Sequence, residues 1–315
     1  DSIGYLLFKD IGIYIGGKLI DKHYGKWLDI WHDLTVPDEK TGGPYHTFTD
    51  DGTSITAAAQ RGSSGTFEMM GNRGPSNGDT GPYDVFIPLQ FWFNKNAGCA
   101  LPLISLQYHP VTIEVNFAAL DGLGHNTLDS TGAPPVITDE YLLVDYFYLD
   151  QQERQLLSKT GSEYLIEQVQ YNQGEAPVNG ATGQQSILKM NFNNPVKEII
   201  WQCFKSNGDK ITKTGDAHMM LNGTKLTNPH PSINFSVLEP YKFHTRVPRA
   251  GGIFLHSFAL RPEEYQPSGS CNFSRIDNAN LFIVAGTDPI AEVDIYAVNY
   301  NILRIQSGMG ALAFS

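Results

Sequence analysis

Three short patterns occur twice in this chain, in the same order, and a chain built so is constrained to fold one β-rich unit two times. The first is a tight hairpin, Ile15-Gly16-Gly17-Lys18-Leu19-Ile20, echoed by Leu221-Asn222-Gly223-Thr224-Lys225-Leu226. The second is an apolar run, Ile87-Pro88-Leu89-Gln90-Phe91-Trp92-Phe93, echoed by Ile253-Phe254-Leu255-His256-Ser257-Phe258. The third is Val144-Asp145-Tyr146-Phe147-Tyr148, echoed by Val293-Asp294-Ile295-Tyr296-Ala297. Measured from Ile15 to Leu221, Ile87 to Ile253 and Val144 to Val293, the offsets are 206, 166 and 149 residues. They shrink steadily, as they must if the first copy carries longer loops between the same strands. A length of 315 residues fits two domains.

The Gly16-Gly17 pair suits a two-residue hairpin turn, which needs positive φ at both positions. After it, Trp27, Ile30, Trp31 and Leu34 fall at i, i+3, i+4 and i+7, the spacing of a short amphipathic helix, which Pro37 ends. Residues 38–82 are rich in Gly, Ser, Thr, Asn and Pro, with few large apolar side chains beyond Phe48, Phe67, Met69 and Met70, and read as a long excursion from a β-core. Strand signals return at 85–93, 101–109 and 111–117, the last alternating Val111, Ile113, Val115 and Phe117 with polar residues. A polar loop covers 118–138, and 141–149 closes the first half. Asp150-Gln151-Gln152-Glu153 reads as a capping box opening a helix to Leu157, with a stop at Gly161.

The second half places strands at 164–171, 187–192, 198–204, 218–226, 253–260, 280–284 and 293–305. Charged residues are 17% of the chain against a usual ~25%, while Gly (31) and Pro (18) are plentiful, which suits many short strands joined by turns. The expected architecture is all-β: two consecutive antiparallel sandwiches, residues 1–157 and 158–315, with short helices only in connections. In the second half two or three strands precede the hairpin at 221, whereas almost nothing precedes the hairpin at 15. The first sandwich is therefore expected to lack its N-terminal strands.

The balance of 22 Lys and Arg against 33 Asp and Glu gives a net charge of −11, with no basic run to neutralise phosphates, so direct nucleic-acid binding is not expected. No apolar run approaches the ~20 residues of a membrane span, and no transmembrane segment is expected. Cys99, Cys203 and Cys271 are odd in number and far apart, and are expected as buried free thiols.

Chemical motifs do not converge. Asp79-Thr80-Gly81 matches the aspartic-protease triplet, but that chemistry needs two such carboxylates and no second triplet exists. Ser186-Ile187-Leu188-Lys189, with Lys213-Thr214-Gly215 downstream, matches part of a penicillin-recognising pattern, yet the segment alternates like a strand and sets Ser186 and Lys189 on opposite faces. His23, Asp29, His32 and Asp33 lie near the short helix without a metal-ligand spacing such as His-x-His. Asn222, Asn234 and Asn272 sit in glycosylation-type triplets and read as turn asparagines. No catalytic, cofactor-binding or metal-ligating residue is assigned, and no cofactor is expected.

Longer stretches are far more specific: IGGKLIDKHYGKW (15–27), ALPLISLQYHPVTIEV (100–115), VDYFYLDQQERQLL (144–157), EYLIEQVQ (163–170), LHSFALRPEEYQPSGSCNFSRIDNANL (255–281) and NYNILRIQSGMGALAF (299–314). Through them the chain resembles the major capsid proteins of nucleocytoplasmic large DNA viruses, those of algal phycodnaviruses in particular. The resemblance implies two consecutive eight-stranded jelly rolls, a homotrimer forming a pseudo-hexagonal capsomer, and an icosahedral shell assembled in the host-cell cytoplasm. The partners it implies are neighbouring capsomers and minor capsid proteins. It implies no enzymatic activity. The competing function is a carbohydrate-binding jelly-roll module for host attachment. That would need an exposed aromatic platform, for which Trp27, Trp31, Trp92 and Trp201 are the candidates; all four lie in patterns that predict burial.

Overall fold

The computed structural model describes residues 3–37, 85–118, 137–177, 180–248 and 251–314. A short helix, Ile3–Leu6, leads into β1 (Phe8–Ile15) and β2 (Lys18–Tyr24), which pair antiparallel. Their turn is Gly16-Gly17 at φ 59° and 77°, the left-handed pair that matches the twist of a two-residue hairpin. The expected amphipathic helix follows at Gly25–Thr35 and buries Trp27, Ile30, Trp31 and Leu34. β3 (Val111–Phe117) pairs with the other edge of β1, Ile11 opposite Val115 and Ile15 opposite Val111, giving the sheet order β2-β1-β3. The capping box is formed: the Asp150 carboxylate accepts from the Glu153 amide at 2.9 Å and Glu153 reaches back to the Asp150 amide at 3.2 Å, opening the helix Gln151–Lys159.

The second half is a two-layer sandwich. One layer contains β4 (Ser162–Glu175), β6 (Pro195–Phe204), β10 (Phe254–Ser257) and β13 (Glu292–Gln306). Its order is β4-β13-β6-β10, with β11 (Cys271–Asn272) on β6 and β14 (Met309–Leu312) on β13. The other layer contains β5 (Gln185–Lys189), β7 (Asp216–Leu221), β8 (Thr224–Lys225), β9 (His230–Pro231) and β12 (Ala279–Val284). It runs β5-β12-β7-β8, with β9 also on β7. All these pairs are antiparallel. The chain changes layer on passing β4 to β5, β5 to β6, β6 to β7, β9 to β10, β11 to β12 and β12 to β13. That crossing pattern is a jelly roll.

β6 and β13 are buried along nearly their whole length because both of their faces are covered. Ile199, Trp201 and Cys203 of β6, with Val293, Ile295 and Ala297 of β13, point into the core between the two layers and meet Leu188, Met219, Leu281 and Ile283. The alternate residues Ile200, Tyr296 and Val298 point the other way. There they pack with Ile11, Ile13 and Ile15 of β1 and with Trp27, Leu28 and Trp31 of the helix. A second core thus joins the halves.

Three expected strands of the first half do not form. Residues 85–90 form no regular element and join no ladder among the described residues, and the chain then turns into the helix Trp92–Lys95. Within 101–109 the regular element is a 3₁₀ turn, Leu103–Ser105. Residues 141–149 form no regular element and are unpaired among the described residues, with Tyr146, Phe147 and Tyr148 exposed. A strand is held by its neighbours, and these segments have none among the described residues. The sequence reading also missed a helical stretch, the π-turn Asn234–Leu238 running into the helix Glu239–Phe243. The loop holding Phe48, Phe67, Met69, Met70 and Asp79-Thr80-Gly81, and most of the loop at 118–138, lie outside the described residues.

Candidate functional site

The densest polar chemistry lies along the seam where the first half meets the β4-β13-β6-β10 layer. Lys197, on β6 and wholly buried, sets its ammonium against Glu167 of β4 and donates to the Pro262 carbonyl at 2.6 Å. Lys95, from the helix Trp92–Lys95, reaches the second Glu167 oxygen at 3.0 Å. Burial alone would raise the Glu167 carboxyl, but the two ammoniums outweigh it and hold the group below its ordinary value. Burial pushes Lys197 down, and Glu167 opposes that shift.

Next along β6, Glu198 meets His244. The imidazole is clamped at both ends, Nε2 at 2.9 Å from Glu198 and Nδ1 at 2.9 Å from Glu263. Burial would lower its pKa, yet the two carboxylates carry it up to about 9, so the ring is a cation at neutral pH. Arg246, two residues on, pairs with the Asp33 carboxylate, donates from Nε to the Asp33 carbonyl at 2.8 Å, and sends its amide to the Leu34 carbonyl at 3.0 Å. Lys26 meets buried Asp294 at 2.8 Å, and Asp294 also accepts from the Tyr171 hydroxyl at 2.7 Å and the Gly174 amide at 3.0 Å. The contacts Lys95–Glu167, Arg246–Asp33, Arg246–Leu34 and Lys26–Asp294 tie the first half to the second, over sequence separations no local pattern reports.

The carboxylates of this seam are each engaged by cations or amides, and the recess beside it is a shallow one lined by Trp92, Lys95, Asn96, Glu167, Glu263 and Tyr265. Among the described residues no group of three or more His, Cys, Asp or Glu side chains could hold a metal ion. His23 is drawn to Asp21 at 3.0 Å and stacks on Phe91, whereas His32 is buried and pushed down to about 4 by burial and then by Arg246. Asp29 faces Lys210 and Asp33 faces Arg246, so these four residues take separate partners. Ser186 is buried and Lys189 exposed on β5, on opposite faces as the alternation requires. Asn222 sits in the β7–β8 turn at φ 48° and accepts from the amides of Asp277 and Asn278. Asn272 caps a 3₁₀ turn, and Asn234 opens the π-turn.

All four tryptophans are buried, so none offers the aromatic platform that a carbohydrate-binding module needs. Cys99 and Cys203 are buried free thiols, the latter pushed up to about 12 by burial, while Cys271 is only half-buried, contrary to the expectation for all three. Cys271 lies on the two-residue strand β11, at the margin of the sandwich rather than inside it. No helix among the described residues is long and apolar enough to cross a membrane.

Surfaces remain as the working feature. Tyr141, Leu142, Leu143, Val144, Tyr146, Phe147 and Tyr148 form an exposed apolar strip, and Ile233, Val237, Leu238 and Tyr241 an exposed helical face. Contiguous apolar surface of this kind marks interaction sites. A jelly-roll sandwich with a three-stranded sheet and helix packed on its outer face, and broad exposed apolar surfaces, defines a β-protein of the jelly-roll class.

Comparison with known proteins places it further. Residues 153–311 match the family model "Large eukaryotic DNA virus major capsid protein", and residues 1–150 match "Major capsid protein N-terminus". The major capsid protein of Pyramimonas orientalis virus is 38% identical over 340 residues, covering 99% of this chain and 77% of the relative. That of Paramecium bursaria Chlorella virus 1 is 31% identical, covering 98% of this chain and 79% of the relative. Among solved structures, VP54 of PBCV-1 superposes with a TM-score of 0.75 at 27% identity, over 100% of this chain and 85% of VP54. The chain belongs to the major capsid proteins of large eukaryotic DNA viruses, and its role is structural, in the capsid of the virion.

Proposed function

We propose that the chain acts by self-association: three copies join into a trimer whose six jelly-roll units form a pseudo-hexagonal capsomer, and capsomers tile an icosahedral shell. The observation that carries this reading is the tandem repetition within one chain, which converts a three-fold assembly into a six-fold outline. The two units are 1–157 and 158–315, divided at the capped helix Gln151–Lys159. Neighbouring capsomers and minor capsid proteins are the partners, and assembly takes place in the host-cell cytoplasm. A chain of the quasi-atomic model of the PBCV-1 virus capsid is similar over 100% of this chain, which supports the reading by likeness.

Light scattering on the full natural chain at micromolar concentration tests it. A mass three times that of one chain is expected, and a monomer would overturn the trimer. Imaging of the assembled particle tests the next level, where pseudo-hexagonal capsomers are expected.

A further inference from the structure

The helix Gly25–Thr35 meets the second half with two stripes. Trp27, Ile30, Trp31 and Leu34 are buried in the core that joins the halves. Lys26, Asp29 and Asp33 form the other stripe, at i, i+3 and i+7, positions that share one face of a helix. Their signs run plus, minus, minus. Each meets its opposite: Lys26 with Asp294 at 2.8 Å, Asp29 with Lys210 at 3.5 Å, and Asp33 with Arg246. In the same order, the partners' signs run minus, plus, plus. These partners come from three separate places in the chain: β13, the connection from β6 to β7, and the stretch after the helix Glu239–Phe243. Asp294 is held in place by the Tyr171 hydroxyl at 2.7 Å and the Gly174 amide at 3.0 Å. The Lys210 backbone bridges to Phe204 at the end of β6.

The apolar stripe discriminates poorly between alignments. Burial is non-directional, and a slide of the helix by one turn puts Trp27 where Trp31 lies and Ile30 where Leu34 lies. The charged stripe separates the alternatives. That same slide carries Lys26 to Lys210, and the opposite slide carries Asp29 to Asp294. Turning the helix end for end sets Lys26 against Arg246 and Asp33 against Asp294. Each alternative thus brings like charges together. Asp294 is wholly buried and Arg246 nearly so, a setting in which salt screens little. Juxtaposed like charges of this kind are how an interface rejects wrong alignments.

We propose that Lys26, Asp29 and Asp33 are an alignment code: read against Asp294, Lys210 and Arg246, they select one register and one direction of the helix on the second sandwich, and so fix how the first half sits on the second. The code acts by excluding wrong alignments more than by adding strength. It works through the hairpin as well, because β2 runs into the helix without a loop, Tyr24 ending one and Gly25 opening the other. A helix held one turn out of place therefore displaces the β1–β2 hairpin by about 5 Å. The alignment is within one chain and does not depend on trimer formation.

Pulsed electron spin resonance on the full natural chain tests it. Spin labels go on Lys18→Cys in the hairpin turn and Ser206→Cys after β6, both exposed, with the half-buried Cys271 replaced by Ser. Dilution with unlabelled chain confines the reading to distances within one chain. A single distance is expected with the natural stripe. Asp29→Lys repels Lys210 in the native register and attracts Asp294 one turn away, so a second distance, shifted by up to about 5 Å, is expected. Asp29→Lys combined with Lys210→Asp restores the order of signs, and the single native distance should return. If Asp29→Lys keeps the single native distance and loses only stability, the proposal is overturned, and the three pairs are bonds without a code. If Asp29→Lys does not fold, the doubly exchanged variant decides: native fold and distance uphold the code, and failure to recover them overturns it.

Discussion

β13 and the segment 141–149 share a sequence pattern and differ in nearly everything the pattern does not specify. β13 is flanked by β4 and β6, and its residues alternate between two cores. The 141–149 segment carries the same Val-Asp start with an aromatic residue three positions after the valine, forms no ladder among the described residues, and lies open to solvent. An apolar, β-branched and aromatic run therefore encodes a demand for cover, while the strand itself is a property of the pair. The seam teaches a related lesson. The first half is held less by its own three-stranded sheet than by the second half, whose β6 and β13 lend it a face.

The largest effect separating these regions is expected at Tyr296. Its ring stacks on Tyr171 at 4.5 Å between centroids and meets Trp27 at 5.4 Å. Tyr296→Ala should open a cavity in the core that joins the halves and cost about 3–5 kcal/mol in urea unfolding followed by tryptophan fluorescence. A loss below about 1 kcal/mol would show that this core is not what holds the halves together.

The clamp on His244 should come next. Glu198→Gln removes one partner of a buried cation and is expected to cost about 3 kcal/mol at neutral pH. The pH dependence has a definite sign. The folded pKa of about 9 stands above the ordinary 6.5, so the stabilisation from His244 is complete below pH 6.5 and is lost as pH rises through 9. His32 and His256 are depressed to about 4 by burial, so their stabilisation is complete above pH 6.5 and is lost as pH falls through 4. Urea midpoints measured from pH 4 to 10 should peak near neutrality, and His244→Gln should flatten the alkaline limb while leaving the acid limb.

The two hairpin turns give a smaller contrast. Gly223 has φ 79° and open space where a Cβ would go, so Gly223→Ala should cost about 1–2 kcal/mol, from backbone strain alone. Gly16 has φ 59°, but a Cβ there would lie 2.5 Å from the His109 ring, whose Nδ1 is held at 3.0 Å from the Gly310 carbonyl. Gly16→Ala should therefore cost more than Gly223→Ala. Equal losses would show that the ring swings away freely.

What was legible in the sequence was local. The Gly16-Gly17 turn, the Trp27–Leu34 stripe, the Asp150–Glu153 box and the alternation of β3 each need only a few neighbouring residues, and all four formed. What was not legible depended on distant partners. Residues 85–93 read as a strand, yet became an irregular run and a helical turn, because a ladder is decided elsewhere in the chain. The helix Glu239–Phe243 was hidden by Pro240, which reads as a breaker but sits in the first turn, where its missing amide hydrogen costs nothing. The seam joins Lys197 to Glu167, Glu198 to His244 and Arg246 to Asp33, and no periodicity announces such pairs. The duplication carried further than any single motif, because the second copy displays what the first copy's strands require.

The smallest expected effect is the one that tests this comparison most directly. Phe147 is the counterpart of Tyr296, and the echo alone would assign it the same buried role. In residues 1–315 its ring is mostly solvated, so Phe147→Ala removes little packing and should shift urea stability by no more than about 0.5 kcal/mol. The contrast with Tyr296→Ala isolates the contribution of flanking strands, since position in the repeat and aromatic character are shared. A loss at Phe147 approaching that at Tyr296 would mean that the strip is covered within residues 1–315, and that the two halves are more alike than their ladders indicate.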